Sequence, residues 1–334
     1  MNKKHITTHN LFFITFAIFA LTLFCPHIHA AGSSVAMPKV VYITTDGRIP
    51  FWEIMGRGIQ NRGASLGYEV EVLSAGNSIK RELELTVEAI KKHVDGIIVS
   101  PSTSSACATI LKFAQKANIP VVISDVGTDG GEYVSYIASN NKEGAYQIGK
   151  VLAQRLKEKG WDDGRVGIVA IPQKRLNGKA RTAGFREAMN EAQIRGAGMR
   201  QLVSWDEAET YRFAKEMIRI YPDLRALWLQ TSNAYRGALR AIDESGKKGE
   251  MLLVAFDAEP EFLDLIPKGV IVGSAMQQPY LMGEKAMEAM HRHLSGEEVP
   301  AQVSVPILSV SSSNIREMLP MIKRNVLGIG KEHP

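Results

Sequence analysis

Acids, amides, one arginine and aromatic rings recur in this sequence directly behind short β-branched runs. Asp46 to Trp52 follow the run 39–45, and Asp125 follows 119–124. Gln173 to Arg181 follow 165–171, and Thr231 to Asn233 follow 224–230. Asp257 follows 251–256, and Gln277 follows 270–276. Together these groups supply hydrogen-bond donors and acceptors, and the charged ones make the stronger bonds. Aromatic rings add faces on which C–H groups pack. That chemistry suits a neutral polyhydroxylated ligand. Pro50, Phe51 and Trp52 stand side by side where one run ends. Pro50 suits the first turn of a helix, where its missing N–H would be unpaired in any case. The two rings behind it are either core or a stacking platform at the mouth of a cleft.

Other chemistries lack their residues. A nucleotide site needs a glycine-rich turn between strand and helix. Gly56-Arg57-Gly58 falls inside a helical pattern and lacks that spacing. No His or Cys pair has zinc-ligand spacing, and His291 and His293, two apart, face different directions on a helix. No G-x-S-x-G elbow occurs. The serines of 100–107 read as turn and cap residues. No enzyme, metal or cofactor is expected.

The elements that position the strand-end groups alternate regularly. Strand-like runs at 39–45, 68–74, 96–100, 119–124, 133–139, 165–171, 199–204, 224–230, 251–256 and 270–276 are separated by amphipathic segments, beginning with a helix from Pro50 to about Leu66. Such alternation implies βαβ units and parallel sheets covered on both faces. The strands are too many for one small sheet, so an α/β fold of two doubly wound parallel-sheet lobes is expected. In doubly wound sheets ligands bind beyond the carboxyl ends of the strands, where the groups above lie.

Lys3 and Lys4, the apolar run Leu11 to Cys25 and the small pair Ala30-Ala31 form a signal-peptide pattern over 1–30. Export to the periplasm and cleavage are expected. The formal charge of the 334 residues is +5, with basic and acidic groups interspersed, as in 80–92. That segment reads as a solvated helix face, and nucleic-acid binding is not expected. After cleavage only Cys107 remains, so an intramolecular disulfide is excluded. It reads as a small buried hydrophobe on a helix.

From about Pro38 to Asn314 the chain resembles periplasmic sugar-binding proteins of the ribose-binding type and the related ligand-binding lobes of LacI-like repressors. The resemblance is carried by PFW at 50–52, ANIPVVISD at 117–125, YIASNN at 136–141, ARTAGF at 180–185, GALRAI at 237–242, VAFDAEPE at 254–261 and QQP at 277–279. A signal peptide and no helix-turn-helix precede the lobes, which excludes the repressor branch. The resemblance implies a type I periplasmic binding fold with a three-strand hinge. One lobe would comprise 38–139 plus 278–306, and the other 140–277 plus 307–316. Residues 317–334 would form a tail, read as a frayed end or, second, as a docking segment.

The resemblance also assigns roles. Phe51 and Trp52 would hold one ligand face and Trp205 the other. Asp125, Arg181 and Asp257 would bond the ligand, with Gln277 at a hinge crossing. Crossings near Asn140, Asp257 and Gln277 would form the hinge. Departures are Val126 where the ribose type has Arg, Thr231-Ser232 where it has Asn-Asp, and Ile49 in place of a polar residue. With polar handles lost or shortened, a smaller, less hydroxylated or more apolar ligand than ribose is expected. The implied activity is capture of a small sugar-like molecule by a monomer and its delivery to the membrane permease of an ABC transporter. The alternative is reporting the ligand to a membrane histidine kinase.

Overall fold

The computed structural model describes residues 37–329. The expected signal peptide lies outside them. The chain begins β1 (Lys39–Thr44), α1 (Pro50–Ser65), β2 (Glu69–Ser74), α2 (Ile79–Lys91), β3 (Gly96–Ser100), α3 (Ser104–Lys116), β4 (Val121–Ser124) and β5 (Ser135–Ser139). It continues α4 (Asn141–Glu158), β6 (Arg165–Ala170), α5 (Leu176–Glu191), β7 (Arg195–Gln201), α6 (Glu207–Ile220), β8 (Leu224–Leu229), α7 (Tyr235–Glu244) and β9 (Leu252–Phe256). Then come α8 (Phe262–Leu265), β10 (Gly273–Met276), α9 (Pro279–Leu294), β11 (Gln302–Val305), β12 (Leu308–Ser311), α10 (Ile315–Met321) and a π-helical turn, Ile322–Val326.

The strands form two six-stranded sheets among the described residues, in the orders β11-β5-β4-β3-β1-β2 and β12-β10-β9-β8-β6-β7. All pairs are parallel except β10 with β12. Each sheet is covered on both faces, which is why its inner strands, such as β1, β3, β4, β8 and β9, are near-continuous buried runs rather than alternating ones. In β1, Val40 and Tyr42 pack with Met55 and Met287, while Val41 and Ile43 face Leu85 and Ile110.

Polar punctuation sets the helix starts. Ser78, Thr103, Asn140 and Asp206 each accept a backbone N–H three residues on, and Pro50 and Pro279 open α1 and α9. Cys107 is buried on α3, where burial pushes its thiol up to about 12.

Several sequence expectations need correction. β7 spans 195–201 rather than 199–204 because pairing with β6, Arg165 opposite Arg195 and Ala170 opposite Gln201, overrides the weak strand propensity of Arg195-Gly-Ala-Gly. The chain passes between the sheets after β5, after β10 and between β11 and β12. Asp257 is therefore not a crossing, since β9 on one side of it and β10 on the other belong to the same sheet. The third crossing is Pro306-Ile307. From Ile315 to Leu327 the segment after Asn314 does not fray: Ile315, Ile322, Val326 and Leu327 are buried in the core of the second sheet. Nor is the helix at 80–92 wholly solvated, because Glu82 is fully buried. Among the described residues no helix is long and apolar enough to cross a membrane.

Candidate ligand-binding cleft

Asp125 and Asp257 are presented by the same backbone device. Each follows the strand third from its sheet's β11 or β12 edge, and each has a left-handed φ, +70° and +67°. Each donates its N–H to the neighbouring strand, Asp125 to Ile137 O and Asp257 to Ala275 O. Aspartate tolerates this conformation better than most side chains. The turn directs a carboxylate past the strand end while its backbone remains bonded to the sheet. Burial pushes both carboxyl groups above the usual range, and the charge of Arg181 opposes it.

Around Asp257 the second sheet completes a buried network. Arg181 donates through Nε to Asn141 Oδ1 at 2.7 Å and through Nη1 to the Gln230 carbonyl at 2.7 Å and to Asp257 Oδ2 at 3.4 Å. Its guanidinium carbon lies 3.7 Å from the centroid of the Phe256 ring. Gln277 donates to Asp257 Oδ1 at 2.8 Å, while its buried Oε1 has no partner among the described residues. Gly184 lets Arg181 come this close to Asn141. A Cβ at residue 184 would lie 1.9 Å from the Lys142 carbonyl, so α5 and α4 meet backbone to backbone only without one.

The opening aromatics divide between two jobs. Phe51 packs on the core of the first sheet, whereas Trp52 stands outside those core clusters and meets Phe51 edge-on at 6.0 Å. Trp52 Nε1 donates to Asp125 Oδ2 at 3.3 Å. Its other neighbour is Trp205, with ring centroids 6.3 Å apart. Trp205 is fixed from behind. Its φ of +64° is held by Glu209, whose carboxylate accepts the N–H groups of Val203, Ser204 and Trp205. Asn233 Nδ2 donates to the Trp205 carbonyl at 2.8 Å, and Thr231 donates its hydroxyl to Asn233 Oδ1. Thr231 thus acts on Trp205 through Asn233.

The loop after β6 bridges the two lobes. Arg175 Nε donates to the Ser102 carbonyl at 2.8 Å, and its guanidinium carbon lies 5.3 Å from the Trp52 ring and 4.9 Å from the Trp205 ring. Asn177 Nδ2 donates to Asp125 Oδ1 at 3.2 Å, and the Leu176 N–H reaches Ser104 Oγ. Behind Ser102, the buried Glu82 accepts both its N–H and its hydroxyl. Burial pushes Glu82 up to about 7, against these hydrogen bonds.

The structure thus links Trp205, Trp52 and Asp125 on one side, and Arg181, Asp257 and Gln277 on the other, with Asn177 and Arg175 between. Arg175, Asn177, Asn141 and Glu82 were not singled out from the sequence. The first two lie in the strand-end window 173–181, so the position rule contained their signal. The arrangement offers ring faces, two carboxylates and an unpaired amide oxygen at the carboxyl ends of both sheets. No group of three or more acidic, His or Cys side chains that could hold a metal occurs among the described residues.

Comparison with known proteins addresses the family and the fold. The ribose import binding protein of Escherichia coli is 26% identical over 281 residues, 83% of this chain and 92% of its own length. The D-apiose import binding protein of Paraburkholderia graminis is 26% identical over 282 residues, 84% of this chain and 88% of its own length. A carbohydrate transporter solute binding protein from Agrobacterium radiobacter, solved with D-arabinose, superposes with a TM-score of 0.81 at 21% identity, covering 88% of this chain and all of that one. The last likeness is one of fold, and it matches the two doubly wound lobes of the type I periplasmic binding architecture. Residues 40–298 match the periplasmic binding protein domain, and the chain belongs to that family.

Proposed function

We propose that this chain is the solute-binding component of a sugar importer. It captures a sugar-like molecule between its lobes in the periplasm and delivers it, as a monomer and without catalysis, to the permease of an ABC transporter. The carrying observation is the convergence of Trp52 and Asp125 from one sheet with Arg181, Trp205, Asp257 and Gln277 from the other. The names of the relatives, ribose and D-apiose import binding proteins, support import as the task. The ligand meets Trp52 and Trp205 on its C–H faces, and Asp125, Asp257 and Gln277 Oε1 take its hydroxyl protons. Phe51 and Thr231 support the two tryptophans. The moving bodies are 38–139 with 278–306 and 140–277 with 307–316. Val126, fully buried, leaves no arginine where the ribose type has one, so ribose is not the preferred sugar.

A thermal-shift screen of sugars on protein purified from the periplasm tests this. At least one sugar should raise the melting temperature. Trp52→Ala should weaken its binding by about tenfold or more, measured at a temperature where the variant, which loses a buried ring, is still folded. A large loss of stability with binding intact would make Trp52 a core residue instead.

A further inference from the structure

Arg175 is a buried cation without an anionic partner. It is 2% exposed, and among the described residues its side chain makes one hydrogen bond, through Nε to the Ser102 carbonyl. No carboxylate among the described residues forms an ion pair with it. The other charges of the cleft are engaged: Arg181 pairs with Asp257, and the two Asp125 oxygens receive Trp52 Nε1 and Asn177 Nδ2. Stacking against Trp52 and Trp205 fixes the guanidinium. It does not satisfy the N–H groups on Nη1 and Nη2. A guanidinium that is 2% exposed has lost most of its hydration, and a negative group bonded to its free donors offsets that loss.

We propose that Arg175 is a specificity residue that recognises a carboxylate on the ligand, so that the preferred ligand is a sugar acid rather than a neutral sugar. This rests on the sugar-binding reading above and replaces the neutral ligand expected from the sequence. The shape of the free edge argues for a carboxylate. With Nε committed to Ser102, the two terminal nitrogens form a two-donor fork, which matches the two oxygens of a carboxylate. A phosphate would need more donors, and at the nearest helix start the Leu176 N–H is already given to Ser104 and the Gly178 N–H to Asn177. Burial, partly offset by the charges of Asp125 and Glu82, lowers Arg175 to about 10. It therefore remains a cation at neutral pH.

Titration calorimetry on the periplasmic protein would compare D-galacturonate, D-gluconate and D-ribonate with D-galactose, D-glucose, D-ribose and ribose 5-phosphate. At least one acid should bind about tenfold or more tightly than its neutral parent. Arg175→Gln should lower the ratio of acid affinity to neutral-parent affinity, both measured on the same variant, by most of that tenfold. If Arg175→Gln does not fold, Arg175→Lys decides. Lysine keeps the charge without the fork, so it should narrow the preference for the acid, and an unchanged preference would overturn the proposal. Equal or tighter binding of the neutral sugars, or a preference for the phosphate, would also overturn it while leaving the sugar-binding reading intact. Binding of none of these compounds would reject both together.

Discussion

Glu82 is the side chain whose ionisation should be visible in bulk stability. Its carboxyl lies in the first lobe with Ser102 bonded to one oxygen and, among the described residues, no partner on the other. Its folded value rises from 4.5 to about 7. A value raised on folding means that the folded state holds the proton more tightly, so the contribution is complete below 4.5 and lost as pH rises through about 7. Asp125 and Asp257 shift in the same direction. The melting temperature should therefore fall between about pH 5 and pH 8, and Glu82→Gln, which imitates the protonated form, should flatten part of that slope. Equal slopes in the two proteins would refute the assignment. At this scale the sequence is readable where a strand end announces a residue, as at Asp125 and Asp257. It is silent at Glu82, one charge among many on a helix, because its burial comes from a loop twenty positions away.

At the scale of elements, the C-terminal segment matters most. Pro320, which has no N–H to donate, precedes the change from α-helix to π-helical turn. The segment then buries Ile322, Val326 and Leu327 on the second lobe and reaches the first. Arg324 makes a two-pronged ion pair with Glu284, Asn325 donates to Gln278, and Arg57 donates to the carbonyls of Leu327 and Gly328. Ile322→Ala should cost about 2–5 kcal/mol in urea unfolding. Arg324→Ala, which removes a partly exposed pair, should cost less than about 1 kcal/mol. A neutral Ile322→Ala would mean that the segment is not part of the core. Alternation of strand and helix was legible from β1 to β10 because its period is local, whereas the short strands β11 and β12, with no helix between them, were not read as strand-like runs. The start of β7 and the site of the third crossing were not legible either, since pairing with β6 and a two-residue passage at Pro306-Ile307 leave no local signature.

At the scale of the whole molecule, three short passages connect two bodies whose facing edges carry the cleft. A ligand closes them only if it binds the closed arrangement better than the open one. Direct contacts across the cleft include Arg175 with Ser102 and Trp52, Leu176 with Ser104, Asn177 with Asp125 and Trp52 with Trp205. Small-angle scattering should show compaction when a saturating ligand is added. Asn177→Leu, which removes one bridge and leaves Asp125 short of a donor, should leave the liganded protein more extended than the wild type. Absence of compaction in the wild type would refute closure for this chain. The twin turns at Asp125 and Asp257 bear on how such a protein diversifies. The backbone of each turn is held by its own sheet, whatever the opposite body contributes to the carboxylate. Inheritance can therefore edit one half of the recognition surface at a time, and a lineage can exchange one nutrient for another by altering the loop behind β1 or behind β6 while both turns stay as they were.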